Sequence, residues 1–167
     1  KLSVHGGRAK YTTQGTEDKE KLTQSDNGSR RDSALKCLSL NARSLINKFD
    51  IFEAYIASVD PDIVGVTESW ATSDIQDSEL MISGYDMFRC DRPTGNVGGG
   101  VLLYVRSELK PSEYVPQAWF PEHIWCTIRD GKDQQLAIGV CYRSDNANIF
   151  VNGSCQELMN LLNEVGK

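Results

Sequence analysis

The residues best suited to chemistry stand where two apolar runs end. Leu35-Lys36-Cys37-Leu38-Ser39-Leu40 runs into Asn41, and Asp62-Ile63-Val64-Gly65-Val66-Thr67 runs into Glu68. Asparagine offers a neutral amide that can donate or accept, and glutamate offers a hard carboxylate oxygen. Mg²⁺ takes one or two carboxylates and fills the rest of its shell with water. Together Asn41 and Glu68 make a minimal metal and phosphate site. A plainer interpretation is that Asn41 caps a turn and Glu68 faces water. Spacing alone leaves both open.

Other chemistries find less support. Gly95, Gly98, Gly99 and Gly100 suggest a phosphate loop, but the G-x-x-x-x-G-K-[ST] spacing and a strand-to-helix setting are both absent, so a hairpin turn is favoured. His5 and His123 are the two histidines, and neither Ser nor Cys stands in a nucleophile elbow, so a Ser-His-Asp hydrolase is not indicated. The five cysteines, Cys37, Cys90, Cys126, Cys141 and Cys155, include no C-x-x-C pair. Four of them lie among apolar neighbours and read as small buried hydrophobes in a reducing compartment. The sequons at Asn27 and Asn152 read as chance.

The elements that must position Asn41 and Glu68 follow from periodicity. Residues 35–40 alternate as a strand. Leu45, Phe49, Phe52, Ile56 and Val59 recur at spacings of four, three, four and three, which is one stripe on a helix of about fifteen residues. Ser44 is its expected N-cap, and Asp60-Pro61 ends it. Residues 62–68 form a nearly continuous apolar strand of the kind covered on both faces. Strand, helix, strand is a βαβ unit with an expected right-handed crossover. Asn41 and Glu68 are thereby brought to the carboxyl ends of neighbouring parallel strands, where ligand sites of open α/β sheets gather.

Downstream, residues 71–83 are turn-rich. Strands at 85–90 and 100–106 form a hairpin around the Pro- and Gly-rich segment 91–99, and strands at 123–129 and 135–143 form a second hairpin across Asp130-Gly131. A final helix, 155–165, puts Leu158, Leu161, Leu162 and Val165 on one face. Residues 1–33 are polar, lack apolar periodicity and read as a disordered leader before a domain at 34–167. There are no internal repeats.

Over 167 residues, 18 Lys plus Arg face 23 Asp plus Glu for a formal net charge of -5, and 40% of residues are hydrophobic. One domain with a true core is expected. A simple basic nucleic-acid-coating protein is not. A metal-dependent nuclease survives this test, since a bound cation supplies local positive charge and the protein supplies carboxylates. No run approaches the roughly 18 apolar residues that a spanning helix requires, so no membrane partner is expected.

The residues also carry a resemblance. Asn41-Ala42-Arg43-Ser44-Leu45 with Asn47-Lys48, then Asp60-Pro61-Asp62-Ile63-Val64-Gly65-Val66-Thr67-Glu68-Ser69-Trp70, resembles the opening of the endonuclease domain of non-LTR (LINE-type) retrotransposons. Ser83-Gly84-Tyr85, Arg89-Cys90-Asp91-Arg92, Gly98-Gly99-Gly100-Val101 and Gly139-Val140-Cys141-Tyr142-Arg143 continue the match in order. These domains belong to the endonuclease/exonuclease/phosphatase superfamily. The resemblance implies an α/β fold, the N-terminal portion of a four-layer α/β sandwich related to the apurinic/apyrimidinic endonucleases. It implies that Asn41 positions the scissile phosphate and contributes to the metal site, that Glu68 ligates the catalytic Mg²⁺ (or Mn²⁺), and that Tyr142 contacts the phosphate. Target DNA is the implied partner, a nick that primes reverse transcription the implied product, and an intracellular, nuclear setting follows.

The sequence departs from this pattern downstream. It reaches Lys167 without the G-D-F-N strand or the S-D-H segment that supply further Asp, Asn and His, about two thirds of the way through the domain. Catalysis by this stretch alone is not expected, and apolar surface of a half-core would be open to self-association. Tyr142-Arg143-Ser144-Asp145 replaces the usual Tyr-Arg-Pro-Pro and implies a relaxed loop. Arg43, Arg92 and Arg143 are candidate DNA-phosphate contacts, against a role as surface charge or structural ion pairs. Trp70 reads as core packing rather than a stacking platform. The alternative to an endonuclease is a domesticated, non-catalytic remnant acting by protein binding. A phosphatase or phosphodiesterase of the same superfamily is the third possibility.

Overall fold

In the computed structural model the described residues are 34–92, 98–130, 133–143 and 154–166. The expected leader at 1–33, the tip of the first hairpin turn, Gly131, the Ser144-Asp145 loop and the sequon residues Asn27 and Asn152 lie outside them. Strand β1 is Cys37–Asn41, helix α1 Phe49–Val59 and strand β2 Ile63–Thr67. β1 and β2 are parallel and Asn41 is opposite Thr67. Strands β3, Tyr85–Cys90, and β4, Val101–Arg106, form the first hairpin, and β4 also runs antiparallel to β2. The sheet order is therefore β1-β2-β4-β3.

Val101 to Val105 of β4 are completely buried, because both faces of this central strand are covered. One face of the first sheet packs under α1, through Phe52, Ile56, Val64, Val66, Leu102 and Tyr104. The other packs against a second sheet through Ile63, Leu103, Val105, Cys126 and Ile128. That second sheet is β5-β6-β7, made of Ser112–Glu113, His123–Arg129 and Gln135–Cys141. β6 and β7 pair antiparallel from His123↔Cys141 to Arg129↔Gln135. Helix α2, Ser154–Val165, covers its outer side by placing Leu161 among Phe120 and Trp125. Helix, sheet, sheet and helix make four layers, and each fully buried aliphatic side chain contributes about 1.5–3 kcal/mol. The sheets approach so closely at Gly65 that a Cβ there would lie 2.9 Å from Val140 Cγ2.

Several local expectations change. Ser44 is not an N-cap: its φ is +72°, and the chain makes a 3₁₀ turn at Ile46–Lys48 before α1 begins, so the helix has 11 residues. The apolar stripe extended through both elements and hid the junction. Asp60 does end α1, in the left-handed conformation with its N–H on Ile56 C=O. On α2, Leu162 is 46% exposed while Leu158 and Val165 join the core, because the buried stripe is the narrower one of Leu158, Leu161 and Val165. Of the described cysteines only Cys126 is fully buried, and Cys37 is exposed, being near the start of an edge strand whose outward positions reach solvent. The polar stretch 71–83 is ordered by Arg89, which donates to Thr72 C=O, Ile75 C=O and Asp77 Oδ1 at 2.8–2.9 Å. Glu164 of α2 likewise accepts the Gln117 and Ala118 N–H groups at 2.6 Å each.

Candidate active site

Three loops leave the strand ends and bond to one another through their backbones. Ala42 N–H donates to Thr67 C=O at 2.8 Å, Ser44 N–H to Glu68 C=O at 3.0 Å and Leu45 N–H to Ser69 C=O at 2.8 Å. Ser69 N–H donates to Gly100 C=O at 3.2 Å and Trp70 N–H to Gly99 C=O at 2.9 Å. The backbone is bent sharply to allow this. Arg43, Ser44, Glu68 and Trp70 have φ of +45°, +72°, +56° and +57°, a left-handed region that non-glycine residues occupy at a cost and mostly at functional turns.

Glu68 is half-buried at the centre of this arrangement. Burial alone would raise its carboxyl pKa, but hydrogen bonds from the Tyr142 hydroxyl, the Trp70 indole and Gly99 N–H, with the charge of Arg92, outweigh it and hold the group below its ordinary value. The Trp70 bond, Nε1 to Oε2, is 2.6 Å. Tyr142 moves the opposite way, pushed up to about 12 by burial and by its bond to Glu68. At neutral pH the pair is therefore a carboxylate facing a protonated phenol. On the neighbouring strand end, Asn41 Oδ1 is buried without a hydrogen-bond partner, and an acceptor in that state is unusual unless something fills it.

These oxygen donors fit a hard divalent cation. One carboxylate and one amide oxygen, with the remaining positions left to water and substrate phosphate, is how Mg²⁺ is usually held. Among the described residues no group of three or more His, Cys, Asp and Glu side chains gathers into an all-protein cage. Asn41 and Glu68 would hold the ion.

The structure thus joins Glu68 and Tyr142 directly and sets Asn41 one strand over. Arg43, two residues past Asn41, and Arg143, next to Tyr142, are both exposed. Arg92 is placed differently from the loop position expected for it. Its side chain is 15% exposed and grips Glu122, Nε to Oε1 and, at 3.1 Å, Nη2 to Oε2. Glu122, itself 4% exposed, also accepts from Gly100 N–H at 3.4 Å, and its C=O receives Tyr142 N–H at 2.9 Å. Gly99 leaves the room this pair occupies, since a Cβ there would lie 2.2 Å from Arg92 Nε. Sequence reasoning missed Glu122; the signal was a charge wedged between Phe120-Pro121 and an apolar strand. It also misassigned Trp70, which is 40% exposed rather than packed in the core, because its N–H is drawn to Glu68. His123 is half-buried beside Phe120, its pKa lowered by burial.

The sequence profile of the Endonuclease/Exonuclease/phosphatase family matches residues 38–152. Among solved structures, the AP endonuclease LMAP from Leishmania major superposes with a TM-score of 0.61 at 13% identity, covering 81% of this chain and 51% of that one. The catalytic domain of human Nocturnin, with bound sulfate anion, gives 0.55 at 16%, covering 77% and 58%. An AP endonuclease from Archaeoglobus fulgidus gives 0.56 at 15%, covering 77% and 51%. At these identities the likeness is one of fold, and the chain spans little more than half the length of each. No curated protein matches the sequence.

Proposed function

Because the chain belongs to the endonuclease/exonuclease/phosphatase family, we propose that it carries the metal- and phosphate-binding part of a Mg²⁺-dependent DNA endonuclease of the LINE-type retrotransposon kind. The observation that carries this is an ionised Glu68, held by Tyr142, Trp70 and Gly99, beside the unpartnered Asn41 Oδ1. Mn²⁺ would fit the same oxygen donors.

The residues divide the work by chemistry. A divalent ion, when bound, lends positive charge to the phosphate and to the departing oxygen. Glu68 supplies the anionic ligand, oriented before any ligand arrives. Asn41 offers both a ligand oxygen and an amide donor. Tyr142 remains a donor through neutral pH and can turn from Glu68 to a phosphate oxygen. Arg43 and Arg143 bear on the flanking phosphates, contacts that position a duplex without reading bases. DNA is favoured over a lipid or nucleotide substrate by the Asn41-Ala42-Arg43-Ser44 and Asp91-Arg92-Pro93 segments. A nuclear site of action follows from that substrate.

Nicking of supercoiled plasmid by the purified chain tests this. Relaxed circles that form with Mg²⁺, and fail to form with chelator or with Glu68→Ala, are the expected result. A folded chain that binds DNA without nicking it would favour the non-catalytic remnant. Nicking that survives both controls would overturn the role of Glu68. A rate rising with the square of protein concentration would show that two copies complete one site.

A further inference from the structure

The indole of Trp70 is fixed and displayed at once. Its Nε1 donates to Glu68 Oε2 at 2.6 Å, its backbone N–H to Gly99 C=O at 2.9 Å, and a Cβ on Gly98 would be 3.4 Å from Nε1. Its backbone is left-handed, with φ +57°. Yet 40% of the residue reaches solvent, next to the carboxylate that would hold the metal. A large aromatic that is fixed through its ring nitrogen, held in a left-handed backbone of the kind that clusters at ligand sites, and open to solvent presents a ready-ordered face.

We infer that Trp70 is a substrate-binding residue of this site, its exposed indole face stacking on the nucleobase that flanks a phosphate held at Asn41, Glu68 and Tyr142. The inference rests on the nucleic-acid reading of the site. Stacking suits a site that acts on a strand, because every base has a π-face and the tethered ring is already ordered. The tether also sets distance: the bonded edge of the ring lies at the Glu68 carboxylate, so a base on its face would neighbour a phosphate held there.

Binding of a fluorescein-labelled duplex carrying an unpaired base, measured by anisotropy in chelator so that nothing is cleaved, separates the possibilities. Trp70→Phe keeps a face without the N–H, Trp70→Leu keeps bulk without a π-face, and Trp70→Ala keeps neither. Phe should bind within about threefold of wild type while Leu and Ala lose about tenfold, the scale of one base stack. The slope of log affinity against log salt should not change in any of them, since no phosphate contact is removed, whereas Arg43→Ala should lower it by about one. Tryptophan quenching on binding should fall in Trp70→Phe although affinity is kept. Equal binding by wild type, Leu and Ala would overturn the inference while leaving the nuclease reading intact, and so would Phe binding as poorly as Ala. A wild-type chain that binds no nucleic acid at all would overturn both.

Discussion

Arg92 and Glu122, thirty residues apart, form a two-pronged ion pair in which the Glu122 side chain is 5% exposed. The pair spans two sheets, since Arg92 follows β3 of the first and Glu122 precedes β6 of the second. Glu122 also holds Gly100 N–H and, through its backbone, Tyr142. It is the residue through which the glycine turn, Arg92 and Tyr142 share one geometry.

Truncating one member of such a pair strands the other charge. Glu122→Ala should lower unfolding free energy by about 3–5 kcal/mol, read as a drop in the urea midpoint at unchanged slope. Replacing both residues with methionine should recover much of that stability. A Glu122→Ala protein as stable as wild type would show that the pair is a surface interaction.

Two left-handed glycines, Gly84 before β3 and Gly99 in the turn before β4, separate two costs. Gly84 has φ +83° and room for a Cβ, which would lie 4.0 Å from Arg106 Nη1, whereas Gly99 has φ +76° and no room for one. Gly84→Ala should cost about 1–2 kcal/mol, the left-handed penalty alone. Gly99→Ala should cost at least about 2 kcal/mol more, because Arg92 and Glu122 must also shift. Equal losses by thermal denaturation would contradict the close fit at Gly99.

Acid should act on the site through Glu68. Its folded pKa is depressed, so its contribution to stability is present above the unfolded value, roughly 4.3, and is lost as pH falls through the lower folded value. Cation binding should weaken over the same acidic range, and Glu68→Gln should flatten both profiles. Tyr142 works in reverse: raised to about 12, it contributes fully below the unfolded value near 10 and loses that contribution as pH climbs to about 12. A loss of cation binding centred near pH 7 would fit neither group.

Tyr104 is buried in the first core, yet its hydroxyl donates to Leu80 C=O at 2.8 Å. Tyr104→Phe should destabilise by about 1–3 kcal/mol, since it leaves a buried carbonyl without its donor. A change under about 0.5 kcal/mol in the denaturation midpoint would mean that water replaces the hydroxyl.

Much of the scaffold is readable from the chain because it is local. The run before Asn41 and the run before Glu68 declare their strands by composition, the stripe from Phe49 to Val59 declares the helix, and a βαβ unit then leaves little freedom in where the two ends meet. The 85–90 and 101–106 strands follow from turn chemistry between them. What escapes is set by contacts across sequence distance. Glu122 has no local pattern that names Arg92 as its partner, and the two-residue strand β5 exists only because β6 is beside it. Trp70 looks like core by residue type, and only its bond to Glu68 turns it outward. Tyr142 came from family resemblance, not from spacing.

The loops that follow β1 and β2 and the described part of the turn that precedes β4 are joined to one another by five backbone hydrogen bonds. Their motions should consequently be shared. The amides of Ala42, Ser44, Leu45, Ser69 and Trp70 should exchange with solvent deuterium as a single cooperative unit, opening together or not at all. Occupancy at Glu68 would then slow exchange at Ser44, on a different loop, by the same factor as at Trp70. Built from three separate stretches of sequence, the site should respond to a ligand as one latch.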